Sequence, residues 1–540
     1  MQGERKKRML TATQWLRLCA GEEGRRLFAS LSGQGSWTES RRRATEDLLE
    51  KFLARFGDRK VVLARAPGRL NLMGRHIDHR GGYVNMVCLD RDIMVAVAPR
   101  DDRRVCLTNV DGQRFPDSEF CLDHLVPPGF TDWADIINSR HVAEQNAKRK
   151  GDWSNYARAA CAWFIARGRM SRGYDVAVTG DIPIGAGLSS SSALIVALVE
   201  ALSVFEGWRT DDRARWAEEA GTAEWYVGTR GGFGDHAAII FGRQGCVARI
   251  GFFPLACLDV FPAPAGCGIL VCHSGSAARK TAGARDIFNH RVACYEIGEE
   301  LLQRRTKGVQ RLRDLAYDPS RSQAEMVELL ERLPAVMTRE EVRGALPSEM
   351  ADRLLATHAE SAGPYPVRAV TLFGVAECLR SRRAAECLRR GAWEEFGCLM
   401  NASHDGDRVS RWHAGRSIPW TADYGDRAFG ALVCRVRQGA DLGLEPGAYA
   451  CSTDAIDRMV DIALSVRGVL GAQISGAGLG GSMMVAVRQG AEDLVERALV
   501  SGYYEPCGVQ PDILRVVPSA GSGVIQPPRC SPCRLAETAP

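Results

Sequence analysis

The sequence has no long apolar run, no marked excess of charge of one sign, and neither of the two most widespread nucleotide-binding fingerprints. A membrane-spanning helix needs about 20 consecutive apolar residues, and none is present. The basic start Arg5-Lys6-Lys7-Arg8 is not followed by the apolar core of a signal peptide. The chain therefore reads as cytoplasmic, with no membrane partner. Lys and Arg number 70 against 65 Asp and Glu, a formal net charge of +5 on 540 residues. The two signs are mixed along the chain, so no face is marked for nucleic acid. The Gly-Lys-Ser/Thr ending of a Walker A loop is missing. No G-x-G-x-x-G is followed by an acidic residue at the spacing of a dinucleotide site. The 18 cysteines are scattered. Those in apolar segments, such as Cys88, Cys161, Cys272 and Cys434, read as small hydrophobes in a reducing compartment. Cys530 and Cys533 form a lone C-x-x-C in a Pro-rich tail, weak evidence for metal.

What is present is a mixed α/β pattern. Residues 1–58 have apolar positions at helical spacing and read as a helical extension. Val61 to Ala64, Ile93 to Ala98 and Tyr174 to Thr179 have strand composition, and Ser190 to Phe205 has that of a helix. A first domain is expected over 59–262 and a second over 263–518. The second carries long amphipathic helices at Arg368 to Arg390 and Ile456 to Val466. Two insertions are expected within it: a charged segment near 304–350, helical or a mobile lid, and a loop-rich one near 405–448. Residues 519–540 read as a disordered tail.

Chemistry is concentrated in Gly180-Asp-Ile-Pro-Ile-Gly-Ala-Gly-Leu-Ser-Ser-Ser-Ser-Ala193, between a strand and a helix. Gly185 and Gly187 permit a tight turn that gathers backbone N–H groups, and the helix that follows adds its positive end. The hydroxyls of Ser189 to Ser192 are hard-oxygen donors to phosphate or Mg²⁺. Taken alone, the segment reads equally well as a flexible connection capped by serine. Asp235, ahead of Ala237 to Ile240, taken alone reads as a helix N-cap.

The whole pattern closely resembles the GHMP kinases, the superfamily of galactokinase, homoserine kinase and mevalonate kinase. Several motifs carry the resemblance in the family's order. Ala66-Pro-Gly-Arg-Leu-Asn-Leu-Met-Gly-Arg-His-Ile-Asp78 and the Gly81-Gly82 turn are similar to the galactokinase signature. Asp152-Trp-Ser-Asn-Tyr156, Val227 to Asp235 and Ile474-Ser-Gly-Ala-Gly-Leu-Gly-Gly-Ser482 resemble further family segments. The resemblance implies a two-domain fold: an N-terminal ribosomal-S5-like domain and a C-terminal ferredoxin-like domain with helical insertions. It also implies ATP and Mg²⁺ as cofactors, a small-molecule sugar as partner, and transfer to the sugar's anomeric hydroxyl. Asp235 would be the catalytic base, with Arg69 beside it. Gly185, Ala186, Gly187, Leu188 and Ser189 to Ser192 would wrap the ATP phosphates. Trp153 and Tyr156 would contact adenine. Gly476, Gly478 and Gly480 would form a turn beside the phosphates. Ser191 would ligate the metal, as would Glu224, which sits one residue closer to Asp235 than in the family pattern. Arg75, His76, Asp78, Gly232 and Phe288 fall where the family reads its sugar. The resemblance leaves the oligomeric state, monomer or homodimer, open.

Three of those positions depart from galactokinases. Arg75 replaces a Glu, Phe288 a Tyr, and His79 an aromatic residue; His76-Ile-Asp-His79 is similar to plant-type galacturonokinases. An Arg accepts no hydrogen bond and favours a carboxylate. Facing the sugar, Arg75 would therefore select a uronic acid. With Arg75 turned elsewhere, galactose or another sugar is the substrate. A reading of another class is a non-catalytic sugar sensor on the same fold; the retained Asp235, Arg69 and serine loop speak against it.

Overall fold

A computed structural model describes residues 9–32, 36–228, 232–276 and 282–528. The basic start and the pair Cys530 and Cys533 lie outside the described residues. Strands are numbered along the whole chain: β1 Val62–Met73, β2 Val84–Pro99, β3 Arg104–Asn109, β4 Ser118–Cys121, β5 Tyr174–Gly180, β6 Cys246–Gly251 and β7 Ala256–Pro262. There follow β8 Cys267–His273, β9 Ser410–His413, β10 Arg416–Pro419, β11 Val469–Ile474, β12 Ser482–Arg488, β13 Ile513–Arg515 and β14 Gly523–Ile525.

The larger sheet runs β14-β1-β2-β5-β3-β4, with β6 and β7 continuing from the other end of β2. Its parallel pair, β3 and β5, is joined by a helical crossover ending in the helix Ser154–Ala166. One face is covered by the helix Ser190–Glu206, whose residues Ala193 to Ser203 are all buried. The helices Ala12–Ala20, Glu22–Ser32 and Ser36–Phe56 cover the other. There Trp15, Phe28, Leu48, Leu49 and Phe52 pack on Leu63, Met94, Ala96 and Ala177.

The smaller sheet has the order β11-β12-β8-β13, antiparallel throughout. Strand–helix–strand–strand–helix–strand connectivity with this order is ferredoxin-like. Both faces of β12 are buried: Met483, Val485 and Val487 face the helices Asp454–Leu464 and Glu492–Leu499, while Met484 and Ala486 join the core of the larger sheet.

The segment near 304–350 is built of packed helices, Leu312–Tyr317, Gln323–Glu331, Arg339–Ala345 and the start of Ser348–Leu355. Leu312, Leu315, Val327, Leu330 and Val342 are buried with Tyr295, Phe373 and Phe429 in a shared core, so this segment is no mobile lid. Residues 405–407 end the helix Trp393–Asp407, so the second segment begins inside regular structure, not in a loop. Nor are residues 519–528 a disordered tail: β14 pairs with β1 (Leu63 with Ile525), and buried Ser519 donates to the carbonyl of Leu89. Strand β1 is also far longer than Val61 to Ala64. It runs through Pro67-Gly68, where a register shift between Pro67 and Arg69 absorbs the missing N–H.

A buried ionic network joins the two halves behind the segment that leaves β1. The backbone N–H groups of Gly74 and Arg75 donate to Glu377 Oε1 at 3.0 and 3.1 Å. The Arg75 guanidinium donates to Ser403 Oγ and Asp407 Oδ2, both at 3.0 Å, and to Gln473 Oε1. Glu377 Oε2 accepts from Arg380 at 2.6 Å and from Ser403 at 2.9 Å. Burial alone would raise the Asp407 carboxyl, but His76 and Arg75 beside it hold it far below the ordinary range. Asp407→Asn would leave Arg75 buried without its counter-ion, at a cost of about 3–5 kcal/mol in denaturant unfolding at neutral pH. A group depressed on folding stabilises above its unfolded pKa, about 3.9 for Asp, and loses that contribution as pH falls toward the folded value. The gap between native protein and variant should therefore narrow in acid; equal stabilities at neutral pH would contradict the network's role.

Candidate active site

Asp235 is the second residue of the helix Gly234–Phe241. Its carboxylate does not cap that helix. Oδ1 accepts from Arg69 Nε at 2.7 Å and Oδ2 from the Ser189 hydroxyl. Burial would push Asp235 up, yet the Arg69 charge and the hydrogen bonds from Arg69 and Ser189 hold it below the usual carboxylate range. Its side chain keeps 36% of its surface open, so an ionised acceptor faces the cleft.

Arg69 on β1 also fixes the serine-rich loop. Its Nη1 donates to the Gly187 carbonyl at 2.6 Å and its backbone N–H to the Leu188 carbonyl at 3.3 Å. Ala186 and Leu188 are buried and anchor the loop. Gly185, Gly187 and Ser189 have φ of +73°, +75° and +61°, so a side chain at either glycine would be strained. The turn between β11 and β12 lies directly against this loop: a Cβ at Gly476 would sit 3.3 Å from the Gly187 carbonyl oxygen. Gly478, in the left-handed region, passes so close to Cys451 that a Cβ would lie 2.1 Å from its carbonyl oxygen. Gly480 has φ +118°.

Glu224 ends the helix Arg213–Glu224 beneath the loop. Its Oε2 accepts from Ser192 Oγ at 2.9 Å and lies 2.8 Å from His236 Nε2. Burial would raise it; His236 and Ser192 outweigh that and keep it ionised. The hydroxyl that meets Glu224 is thus that of Ser192, while Ser191 interacts with the Tyr156 hydroxyl. Tyr156 and Trp153 lie at the start of the same helix, and Trp153 donates to the Pro116 carbonyl at 3.0 Å. Trp153 lines a surface cleft with Phe115, Lys148, Arg149 and Lys150.

The expected sugar residues separate into two groups. Asp78 faces the Asp235 helix: a Cβ at Gly232 would lie 3.0 Å from Asp78 Oδ2, and one at Gly234 3.5 Å. Its other oxygen meets His79 Nδ1 at 3.2 Å. Arg75 and His76 turn away. Arg75 is 2% exposed, its guanidinium committed to Asp407, Ser403 and Gln473. His76 stacks on Tyr449 at 4.1 Å, with Nε2 3.4 Å from Asp407 Oδ1. Where a sugar was expected beside both side chains, the structure places the buried Asp407 carboxylate. Phe288 is half-buried on the helix Ala282–Gln303. Further along the same helix, Tyr295 reaches the His79 ring edge-on at 5.8 Å. Sequence reasoning missed Asp407, Tyr295, His236 and the Ser189–Asp235 bond. Only His236, adjacent to Asp235, carried a signal in the chain itself.

Three family models match in the order of the motifs. The galactokinase galactose-binding signature matches residues 50–99, the GHMP kinase N-terminal domain 155–243, and the GHMP kinase C-terminal model 428–505. A galactokinase of Chloroflexus aggregans (strain MD-66 / DSM 9485) is 28% identical over 474 residues, 87% of this chain and 94% of the relative. A galactokinase of Roseiflexus sp. (strain RS-1) is 26% identical, over 86% and 93%. In fold, the chain matches Lactococcus lactis galactokinase complexed with galactose at a TM-score of 0.61 and 21% identity, over 88% of this chain and 97% of that one. Signature, phosphate loop and C-terminal match thus fall on the elements that meet at Asp235, and the chain belongs to the galactokinase family of the GHMP kinase superfamily.

Proposed function

We propose that the chain is an ATP-dependent sugar kinase of the galactokinase type, moving the γ-phosphoryl group of ATP to the anomeric hydroxyl of galactose or a closely related sugar. The observation that carries this is the ionised Asp235, held between Arg69 and Ser189 at the edge of the phosphate loop. Phosphoryl transfer asks the protein for alignment, charge stabilisation and a place for the acceptor's proton. Asp235 takes that proton. Arg69 keeps it ionised beforehand and stabilises negative charge as the phosphoryl group moves. Asp78 accepts from a sugar hydroxyl, and Gly232, lacking a Cβ, lets the sugar approach the backbone. Trp153 and Tyr156 lead from the surface cleft to the loop and suit a purine ring.

The donor set fits Mg²⁺, which prefers hard oxygens and keeps water and phosphate ligands. Glu224 is ionised, and the Ser191 and Ser192 hydroxyls lie at the same helix start. Among the described residues no cluster of three or more His, Cys, Asp or Glu could hold a metal by protein groups alone. Glu224 and a loop serine would hold the ion together with the nucleotide. When bound, it neutralises charge on the phosphates.

With Arg75 paired to Asp407, no cation from that position is left to select a uronic acid. In an ATP-coupled assay of purified protein, galactose should be phosphorylated and galacturonate should not; turnover of galacturonate alone would overturn this assignment. Asp235→Asn should lower kcat by about 10²–10⁴-fold with little change in sugar affinity. Near-native turnover by that variant would remove Asp235 from the mechanism. Arg69→Met should shift the acid limb of the kcat/KM profile to higher pH, because burial then acts on Asp235 without an opposing cation. A lower rate with an unmoved limb would show that Arg69 does not set the ionisation of Asp235.

A further inference from the structure

The helix Ser36–Phe56 carries three consecutive arginines with different fates. Arg42 pairs with Glu39 and Glu46, and Arg43 with Glu39, all on their own helix. Arg41 is 4% exposed and leaves the helix. Its Nη1 donates to Asp92 Oδ1 on β2 at 2.7 Å, and its Nη2 to Asp181 Oδ2. The two aspartates are locked together: Asp181 Oδ1 accepts the Asp92 N–H at 3.0 Å, and the Asp181 N–H donates to the Asp92 carbonyl at 3.1 Å. Arg65 on β1 adds a bond to Asp92 Oδ2 at 2.9 Å.

Asp181 is the first residue after β5, two before the phosphate loop begins at Pro183. Between them, Ile182 is buried against Gly68, where an added Cβ would meet its side chain at 3.4 Å and the Leu188 carbonyl oxygen at 3.0 Å. The loop is thus held at both ends: Arg69 grips the carbonyls of Gly187 and Leu188, and Arg41 grips Asp181. Gly185 and Gly187 take positive φ freely, but Ser189 at φ +61° is held against its local preference, so the anchors bear on the loop's shape there.

We propose that Arg41 is a positioning residue for the phosphate loop, acting through Asp181, which makes the N-terminal helices part of the nucleotide-binding apparatus. The inference rests on the kinase reading in that it takes the loop to bind ATP. A buried ion cluster adds little stability over apolar packing; what it sets is the geometry at the root of the loop. Misplaced by a fraction of an ångström, amides aimed at phosphate lose much of their grip.

The test uses the full chain with Arg41→Ala, Arg41→Lys, Asp181→Asn and, as control, Arg42→Ala. Three quantities are measured: affinity for a fluorescent ATP analogue with Mg²⁺, KM and kcat for ATP, and affinity, without nucleotide, for the sugar selected above. Arg41→Ala should weaken analogue binding and raise the KM for ATP by about tenfold, leaving sugar affinity within about twofold. Arg41→Lys should fall between, and Arg42→Ala should match the native chain. If Arg41→Ala does not fold, Asp181→Asn, which preserves shape and removes the gripped charge, decides by the same readouts. Unchanged nucleotide affinity overturns the proposal. So does a parallel loss of nucleotide and sugar affinity, which marks general loosening. A native chain that binds the analogue but phosphorylates no sugar defeats the kinase reading alone, since analogue binding still tests Arg41.

Discussion

The active site depends on one guanidinium. Arg69 reaches the Asp235 carboxylate, proposed as the base, the carbonyls of the serine-rich loop and, through its own strand, the large sheet. A carboxylate half-sunk in protein would normally rise in pKa, whereas the proposed base must stay ionised to accept a proton. The Arg69 charge resolves that conflict at Asp235 without covering it. The same contacts set the distance between proton acceptor and phosphate cradle, so alignment and ionisation come from one side chain. Gly68 makes the arrangement possible, because a Cβ there would press on the Leu188 carbonyl.

Around this centre, arginines divide by what opposes them. Arg69 meets a carboxylate open to the cleft, the pair proposed to carry the chemistry. Arg75, just past the end of the same strand, meets Asp407, Ser403 and Gln473 in a closed interior and joins the two halves of the molecule. Arg41 meets Asp92 and Asp181 under the sheet and braces the loop from behind. In isolation the three are chemically equivalent. Burial and partner geometry give each its role, and a buried arginine without its counter-charge would be costly in every case.

Cleft formation follows from two close approaches of backbone. The Gly476 turn touches the Gly187 loop, and Asp78 touches the Gly232–Gly234 backbone. Each joins elements far apart in sequence, and each requires that a side chain be absent. The ferredoxin-like sheet thereby supplies a wall to a cleft whose proposed catalytic pair, Arg69 and Asp235, comes from the first half of the chain.

Much of this was legible from local pattern. The loop between β5 and the helix Ser190–Glu206 and the glycines of the 474–482 turn show their backbone freedom in residue type and spacing, because steric freedom is a local property, while the part of Asp235 after Gly232 came from the family resemblance. The helical N-terminus was readable from its apolar period. Strand β1 beyond Ala64 was not, since Pro67-Gly68 mimics a break that a bulge absorbs. Nor was the order of residues 519–528, where an edge pairing holds β14. The sequence by itself determined the family and the backbone freedom of the serine-rich loop, and through the resemblance it pointed to Asp235 as the proposed base. Tertiary structure alone decided that Arg75 buries against Asp407, because a charge buries toward its counter-ion and that counter-ion lies some three hundred residues along the chain.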